Sequence, residues 1–144
     1  MVIRNVGELI KEQQTFSMPA TATVLEAACG MAERRVGAVP VMRDGALVGL
    51  FTERDLLTRV VAGGKDPATV TLEQVMTANP VTIGMERSLA DALSLMFDNN
   101  FRHLPVMTSQ GSLVGIVSCR DVPAGYQVLR ERWITARREL ESVA

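Results

Sequence analysis

The chain contains an internal repeat that extends over most of its length and limits the folds it can adopt. Residues 36–57 align with residues 101–123 once a single inserted residue is allowed. The identical aligned pairs are Pro40/Pro105, Val41/Val106, Met42/Met107, Gly45/Gly111, Leu47/Leu113, Val48/Val114, Gly49/Gly115, Arg54/Arg120 and Asp55/Asp121. Chance does not produce such a density of matches in one short window. We therefore expect two copies of one folding unit.

The similarity continues upstream of this window in the same alignment. It matches Thr23/Ser88, Glu26/Asp91, Ala27/Ala92 and Met31/Met96. Residues 6–10 resemble residues 72–76, as a short lead-in before each copy, and residues 62–70 are rich in turn-forming residues. We divide the chain into a first repeat with its lead-in at 1–64, a second repeat with the linker at 65–125, and a C-terminal segment at 126–144.

Each copy carries a signal for the start of a helix. Thr23 followed by Glu26, and Ser88 followed by Asp91, have the spacing of a capping box. The two helices are expected to run to about Arg34 and Asn99. Apolar residues recur at helical spacing in both, at Val24, Ala27, Ala28 and Met31 and at Leu89, Ala92, Leu93 and Met96, so one face of each helix is predicted to be buried.

Two β-prone runs follow each helix and predict a hairpin. They are residues 39–42 and 47–51 in the first copy, and residues 104–107 and 113–117 in the second. Gly45 suits a tight turn between the first pair. Residues 18–20 and 81–83 are predicted to be short edge strands. The fold class is therefore α/β (α+β), with two tandem β-α-β-β-α repeats packed as a pseudo-two-fold module, followed by a C-terminal helix.

The polar residues best suited to bind a ligand lie at the end of each hairpin. The chain reads GLFTERD at residues 49–55 and GIVSCRD at residues 115–121. Free amides at a helix start favour an anion such as phosphate, and the hydroxyls of Thr52 and Ser118 add donors. The carboxylates of Asp55 and Asp121 suit a ribose diol. Guanidinium groups for phosphate come from Arg54 and Arg120, and close backbone approach is permitted by Gly49 and Gly115.

Each motif also fits an ordinary helix cap, in which the hydroxyl and the acid serve only the backbone. A single copy would favour that interpretation. Two copies in the same strand-to-helix context, both with the Arg-Asp pair, favour ligand binding instead.

The repeated unit resembles the CBS domain, named after cystathionine β-synthase, whose tandem pairs form a pseudo-symmetric disc with two clefts. The resemblance covers about residues 6–123 and is strongest at GLFTERD, GIVSCRD and FRHLPV. It implies that Thr52, Asp55, Ser118 and Asp121 hold the ribose and phosphate of adenosine nucleotides. The second repeat departs from the first at Pro123, which aligns with Leu57. Proline has no backbone N–H to donate, so the second helix is expected to start late or to be distorted.

The resemblance also implies where the adenine base lies, against the early strand and the first hairpin strand. Carried over by position, it assigns one cleft the residues Met18, Ala20, Ala38 and Pro40. It assigns the other cleft the residues Ile83, His103 and Pro105. A structural role for His103 stays open beside the role of base contact.

These observations predict a regulatory ligand-sensing module and not an enzyme. AMP, ADP or ATP is the expected ligand, with NAD and S-adenosylmethionine as further candidates, and no cofactor is required. The bound state would pass to an unidentified effector protein or to the chain's own oligomer. The alternative is an interaction scaffold in which both motifs act as caps. An enzyme is disfavoured because the sequence has no GxGxxG, P-loop, metal cluster or pairing of nucleophile and base.

Composition and charge argue against several other classes of protein. The net charge of −1 gives no basic surface for nucleic acid. No apolar run reaches the roughly 18 residues of a membrane span and no signal-peptide core is present, so we expect a cytoplasmic protein. Cys29 and Cys119 lack metal-ligand spacing, and His103 is the sole histidine, so no metal site is predicted.

The C-terminal segment predicts an amphipathic helix. Its apolar residues fall at spacings of three and four along one stripe, at Tyr126, Leu129, Trp133, Ala136 and Leu140. The stripe could pack on the chain's own core or across a dimer, and both arrangements stay open. A homodimer is the expected assembly, because pairs of the resembled family usually bury helical faces against a second copy.

Overall fold

The computed structural model describes residues 3–143, and within the C-terminal helix it describes the side chains of residues 125, 131–132 and 134–142. The chain forms two small sheets, each built around the hairpin of one repeat. The first sheet has the order β1 (Met18–Pro19), β2 (Ala38–Arg43), β3 (Ala46–Thr52) and β4 (Thr77–Ala78). The second has the order β5 (Ile83–Gly84), β6 (His103–Met107) and β7 (Leu113–Ser118).

The two sheets share the same pairing. β1 runs parallel to β2 and β5 runs parallel to β6, whereas β2/β3 and β6/β7 are antiparallel hairpins. A register shift occurs in both hairpins, between Val41 and Met42 and between Val106 and Met107. In the first hairpin Asp44 (φ 51°) and Gly45 (φ 79°) form a two-residue turn with both φ values positive. The predicted hairpins are confirmed. Both early strands are present at sheet edges, but each has only two residues, and β5 begins two residues later than predicted.

The predicted helices begin and end where the sequence signals place them. α2 (Val24–Arg34) starts at the capping box of Thr23, and α5 (Leu89–Asn99) starts at that of Ser88. Both helices stop at a residue in the left-handed region, Arg35 (φ 55°) and Asn100 (φ 57°). The two repeats therefore use the same local devices with different residues.

The repeats differ after the second hairpin strand. In the first, α3 (Glu53–Asp55) follows Thr52 directly and continues as a π-helical segment (Leu56–Val61). In the second, a turn follows Ser118, and the long α6 (Ala124–Val143) begins immediately after Pro123. The late start expected from Pro123 is confirmed, because this residue offers no backbone donor and favours the first helical turn or the position before it.

The two hydrophobic cores exchange their lead-in helices. α4 (Leu72–Val75) precedes the second repeat, yet Leu72 and Val75 are buried in the core of the first. α1 (Val6–Leu9) precedes the first repeat, yet Val6 and Ile10 are buried in the core of the second. Each unit of packing therefore includes a helix from the other half of the chain.

The free edge of β7 is covered by a side chain. Gln13 Nε2 donates to the Ile116 carbonyl and Gln13 Oε1 accepts from the Ile116 amide, each at 2.8 Å. Thr15 Oγ1 donates to the Val114 carbonyl at 3.0 Å. A Cβ added to Gly115 would lie 2.6 Å from Gln13 Oε1, so the contact needs glycine there. The corresponding edge of β3 pairs with the backbone of β4.

α6 contacts the rest of the fold near the end of α5, where Arg137 forms an ion pair with Asp98 at 2.8 Å. Leu140 of the predicted stripe is 74% exposed. The side chains of Tyr126, Leu129 and Trp133 lie outside the described residues. Among the described residues, none of the helices has the length and apolar character needed to cross a membrane.

The contact between Gln13 and Ile116 makes a testable contribution to stability. Gln13→Ala removes two hydrogen bonds and should lower the free energy of unfolding by roughly 1 to 3 kcal/mol. Gln14→Ala is the matched control, because Gln14 is exposed and makes no hydrogen bond through its side chain to another described residue. Urea denaturation of the two variants measures the difference. Equal stabilities would show that the β7 edge does not depend on Gln13.

Candidate functional site

Two cavities lie between the repeats, and each takes its walls from both. The first has a volume of about 870 Å³ and is lined by Thr52 and Asp55 of the first repeat and by residues 99–103 of the second. The second has a volume of about 540 Å³ and is lined by Ser118 and Asp121 of the second repeat and by residues 13–16 and 34–38 of the first. A molecule in either cavity would therefore touch both halves of the fold.

The motif of the first cavity is held by a dense set of hydrogen bonds around Asp55. Oδ2 of Asp55 accepts from the Thr52 amide at 3.1 Å and lies 3.2 Å from the Thr52 hydroxyl. The Thr77 hydroxyl donates to Asp55 Oδ1 at 3.3 Å, and Arg59 Nε lies 3.5 Å from the same oxygen. Asp55 is only 5% exposed. This carboxylate caps α3 and also forms part of the cavity wall.

The motif of the second cavity is more open. Asp121 Oδ2 accepts from the Ser118 amide at 2.8 Å, and Asp121 is exposed. No second hydrogen bond from a described residue reaches its carboxylate. Asp121 can therefore accept further donors without losing partners, whereas Asp55 would have to share or exchange them.

The predicted ribose and phosphate residues all line the cavities. Arg54 joins Thr52 and Asp55 in the first cavity, and Arg120 joins Ser118 and Asp121 in the second. Neither arginine side chain makes an ion pair or hydrogen bond with another described residue. Each cavity therefore has one arginine of the motif whose guanidinium has no partner among the described residues and is available to a ligand.

The predicted adenine residues divide into two groups. Ala38 and Pro40 line the second cavity, and His103 lines both. The structure does not bring the remaining four to either cavity, since Ala20 and Ile83 are buried in the hydrophobic cores, Met18 packs against the first core and Pro105 is buried in β6.

Four residues form a wall shared by the two cavities: Gly37, Glu53, Arg102 and His103. A Cβ on Gly37 would lie 3.1 Å from Glu53 Oε1 and 3.3 Å from His103 Cε1, so the wall is tightly packed at this point. Burial lowers the pKa of His103, and the carboxylates of Glu53 and Asp121 partly oppose this effect. His103 is therefore mainly neutral near pH 7.

Several cavity residues were missed by the sequence analysis. The polar ones include Gln13, Arg34, Arg35, Glu53, Arg59, Thr77, Asn99, Asn100 and Arg102. The internal alignment places residues 34–35 opposite 99–100, and both pairs line a cavity at the end of a helix. That shared position was the available signal, although the residue types differ. Among the described residues, no group of three or more His, Cys, Asp or Glu side chains could hold a metal ion.

Proteins of several organisms are similar to this chain in sequence. A protein of Methanopyrus kandleri is 33% identical over 119 residues, which cover 82% of this chain and 60% of that protein. The CBS domain-containing protein YhcV of Bacillus subtilis is 38% identical over 109 residues, covering 76% of each chain. The chain spans less than two thirds of the length of several matched relatives, only 17% in the case of two from Arabidopsis thaliana.

A solved structure has the same fold. The CBS domain protein of Pyrobaculum aerophilum complexed with AMP superposes with a TM-score of 0.73 and is 31% identical, covering 83% of this chain and 89% of that one. The family model of the CBS domain matches twice, at residues 6–62 and at residues 72–122, once within each repeat of the sequence. The chain therefore belongs to the CBS domain family.

Proposed function

We propose that the chain is a regulatory module that binds adenosine nucleotides in its two inter-repeat cavities. The observation that carries the proposal is that all six predicted ribose and phosphate residues line these cavities. The related protein of P. aerophilum was solved with AMP, which supports an adenosine ligand for this chain. AMP, ADP and ATP are the first candidates, and NAD and S-adenosylmethionine are further ones.

The chemistry of the walls suits the parts of such a ligand. An aspartate in each cavity can accept hydrogen bonds from the ribose diol, and an arginine can pair with phosphate oxygens. Apolar residues supply a surface for the base, with Pro80, Val81 and Phe101 in the first cavity and Val36, Ala38 and Pro40 in the second. Such a mixed lining is typical of small-molecule sites.

The regulatory role follows from the composition of each cavity. Because a bound nucleotide touches both repeats, it binds one relative arrangement of them more tightly and shifts the equilibrium toward it. The change would be read by an effector protein or by a second copy of the chain. We propose binding without turnover, so ATP incubated with the pure protein should be recovered intact.

The scaffold alternative is favoured by one observation in the first cavity. Both oxygens of Asp55 already have partners within the chain, as expected of a purely structural cap. The second cavity gives no such support, since Asp121 is exposed and has one hydrogen-bond donor among the described residues.

Removal of the two aspartates tests the proposed ribose contacts. Asp55→Ala combined with Asp121→Ala should weaken adenosine nucleotide binding at least tenfold at each site, because a hydrogen bond to a charged group is worth about 1.5 to 3 kcal/mol. Calorimetric titration with AMP and ATP measures the loss. Glu139→Ala on exposed α6 is the control for removal of one carboxylate. Parental affinity in a folded double variant would refute the ribose assignment.

The sole histidine reports on the shared wall. The midpoint of the His103 imidazole titration, followed by proton NMR, should lie below the ordinary pKa of 6.5 because burial disfavours the charged form. The unfolded chain then binds a proton that the folded chain does not, so stability should fall as the pH drops below about 6.5. AMP should move the midpoint upward, because a nearby phosphate favours the imidazolium.

His103→Gln is the control for the stability measurement, and it should remove the part of the pH dependence that belongs to this residue. A midpoint at or above 6.5 without nucleotide would contradict the assigned effect of burial. A midpoint that AMP leaves unchanged would place the phosphate away from the shared wall.

We also propose a homodimer. The π-helical segment exposes Leu57 and Val61, which are 62% and 65% accessible to solvent, and α6 exposes Leu140. Val61→Glu should yield monomers if the π-helical segment forms the interface, and Leu140→Glu should do so if α6 forms it, since a charge cannot be buried there without a partner. Light scattering at micromolar concentration measures both variants. A monomeric parent chain would exclude the dimer.

A further inference from the structure

The two cavities differ in the positive charge that they offer to a ligand. The internal alignment places Arg34 and Arg35 at the second cavity where Asn99 and Asn100 stand at the first. Both pairs end a helix, and Arg35 and Asn100 have the same left-handed conformation. The same backbone position therefore presents a cation to one cavity and a neutral amide to the other.

Most of the arginines that line the second cavity have no ion-pair partner among the described residues, although the carboxylates of Glu53 and Asp121 also belong to its lining. Arg35, Arg102 and Arg120 line it, and their side chains make no hydrogen bond or ion pair with another described residue. Arg34 also lines this cavity but already has partners: its guanidinium lies over the Phe16 ring, 4.0 Å from the centroid, and forms an ion pair with Glu33 at 4.0 Å. All four arginines line the same cavity, which has a volume of about 540 Å³.

The first cavity has fewer arginines that are free to pair with a phosphate. Arg59 belongs to its lining but is committed to Asp55 and to the carbonyls of Val75 and Met76. Its uncommitted arginines are Arg54 and the shared Arg102. The acid that would hold a ribose is also less available here, because Asp55 is buried and bonded while Asp121 is exposed.

We propose that the second cavity is the site for a nucleoside polyphosphate, with Arg35 as the residue that selects the longer phosphate chain, and that the first cavity does not make this distinction. This inference rests on the proposed function, because it assigns a ligand class to one of its two cavities. Guanidinium groups pair with phosphate oxygens in a bidentate manner, so each additional uncommitted arginine favours a ligand with more phosphates. A monophosphate offers fewer oxygens to pair with them than a polyphosphate does.

The experiment isolates the cavities by mutation in the full chain. Asp55→Ala leaves the second cavity intact, and Asp121→Ala leaves the first intact. Calorimetric titration with ATP and with AMP at fixed ionic strength then gives a preference for each cavity. We expect ATP to bind about tenfold more tightly than AMP in the Asp55→Ala variant, and no tighter than AMP in the Asp121→Ala variant.

Arg35→Asn, made in the Asp55→Ala background, tests the selecting residue. Asparagine is the residue at the equivalent position of the other repeat, and it tolerates the left-handed backbone well, so the fold should be kept. ATP affinity should fall about tenfold and AMP affinity less than about threefold. Arg4→Asn is the matched control, because Arg4 is an exposed and uncommitted arginine that lines neither cavity.

The reciprocal change is Asn100→Arg in the Asp121→Ala background, which should create an ATP preference in the first cavity. The inference is overturned if the Asp55→Ala variant loses ATP binding while the Asp121→Ala variant keeps it. It is also overturned if Arg35→Asn and Arg4→Asn change the affinity for ATP equally. Either result leaves the proposed function standing, since nucleotides still bind. A parent chain that binds neither AMP nor ATP overturns both.

Discussion

The exchange of the two lead-in helices is the constraint on which the rest of the structure depends. Val6 of α1 and Leu72 of α4 have no exposed surface, and each is buried in the core of the opposite repeat. Burial of an aliphatic side chain of this size contributes about 1.5 to 3 kcal/mol, so a single repeat without its exchanged helix would lose part of an already small core. The exchanged helices therefore tie the two repeats together, and the two cavities lie between the repeats that they join.

Features that depend on neighbouring residues could be predicted from the sequence, and features that depend on distant ones could not. The capping boxes at Thr23 and Ser88 and the turn at Asp44 and Gly45 are complete within a few residues, so their patterns were sufficient. The exchange of α1 and α4, the pairing of β4 and the contact of Gln13 with Ile116 join segments far apart in the chain. When two repeats are similar, no local sequence pattern indicates into which of their two cores a short apolar helix will pack.

The candidate site shows the same division. The strand-to-helix motif was visible because its residues are contiguous and occur twice, and all of its polar members line the cavities. Ala20 and Ile83 instead lie in the cores, because a position carried over from a family does not determine which way a residue in a two-residue strand faces. Arg34 and Arg35 were missed because charged residues at the end of a helix are usually no more than a solvated terminus.

The shared wall explains why the two cavities cannot be identical. Gly37 and Arg102 are equivalent in the internal alignment, and both belong to this wall although they differ in size and charge. The other two wall residues, His103 and Glu53, align with Ala38 and Cys119, which line only the second cavity. Gly37 has almost no space for a side chain beside Glu53 and His103. The glycine of the first repeat leaves room here for the larger His103 of the second repeat, so the two repeats contribute unequally to the wall between the cavities. The charge difference at Arg35 and Asn100 extends that inequality from the shared wall to the outer ends of the cavities.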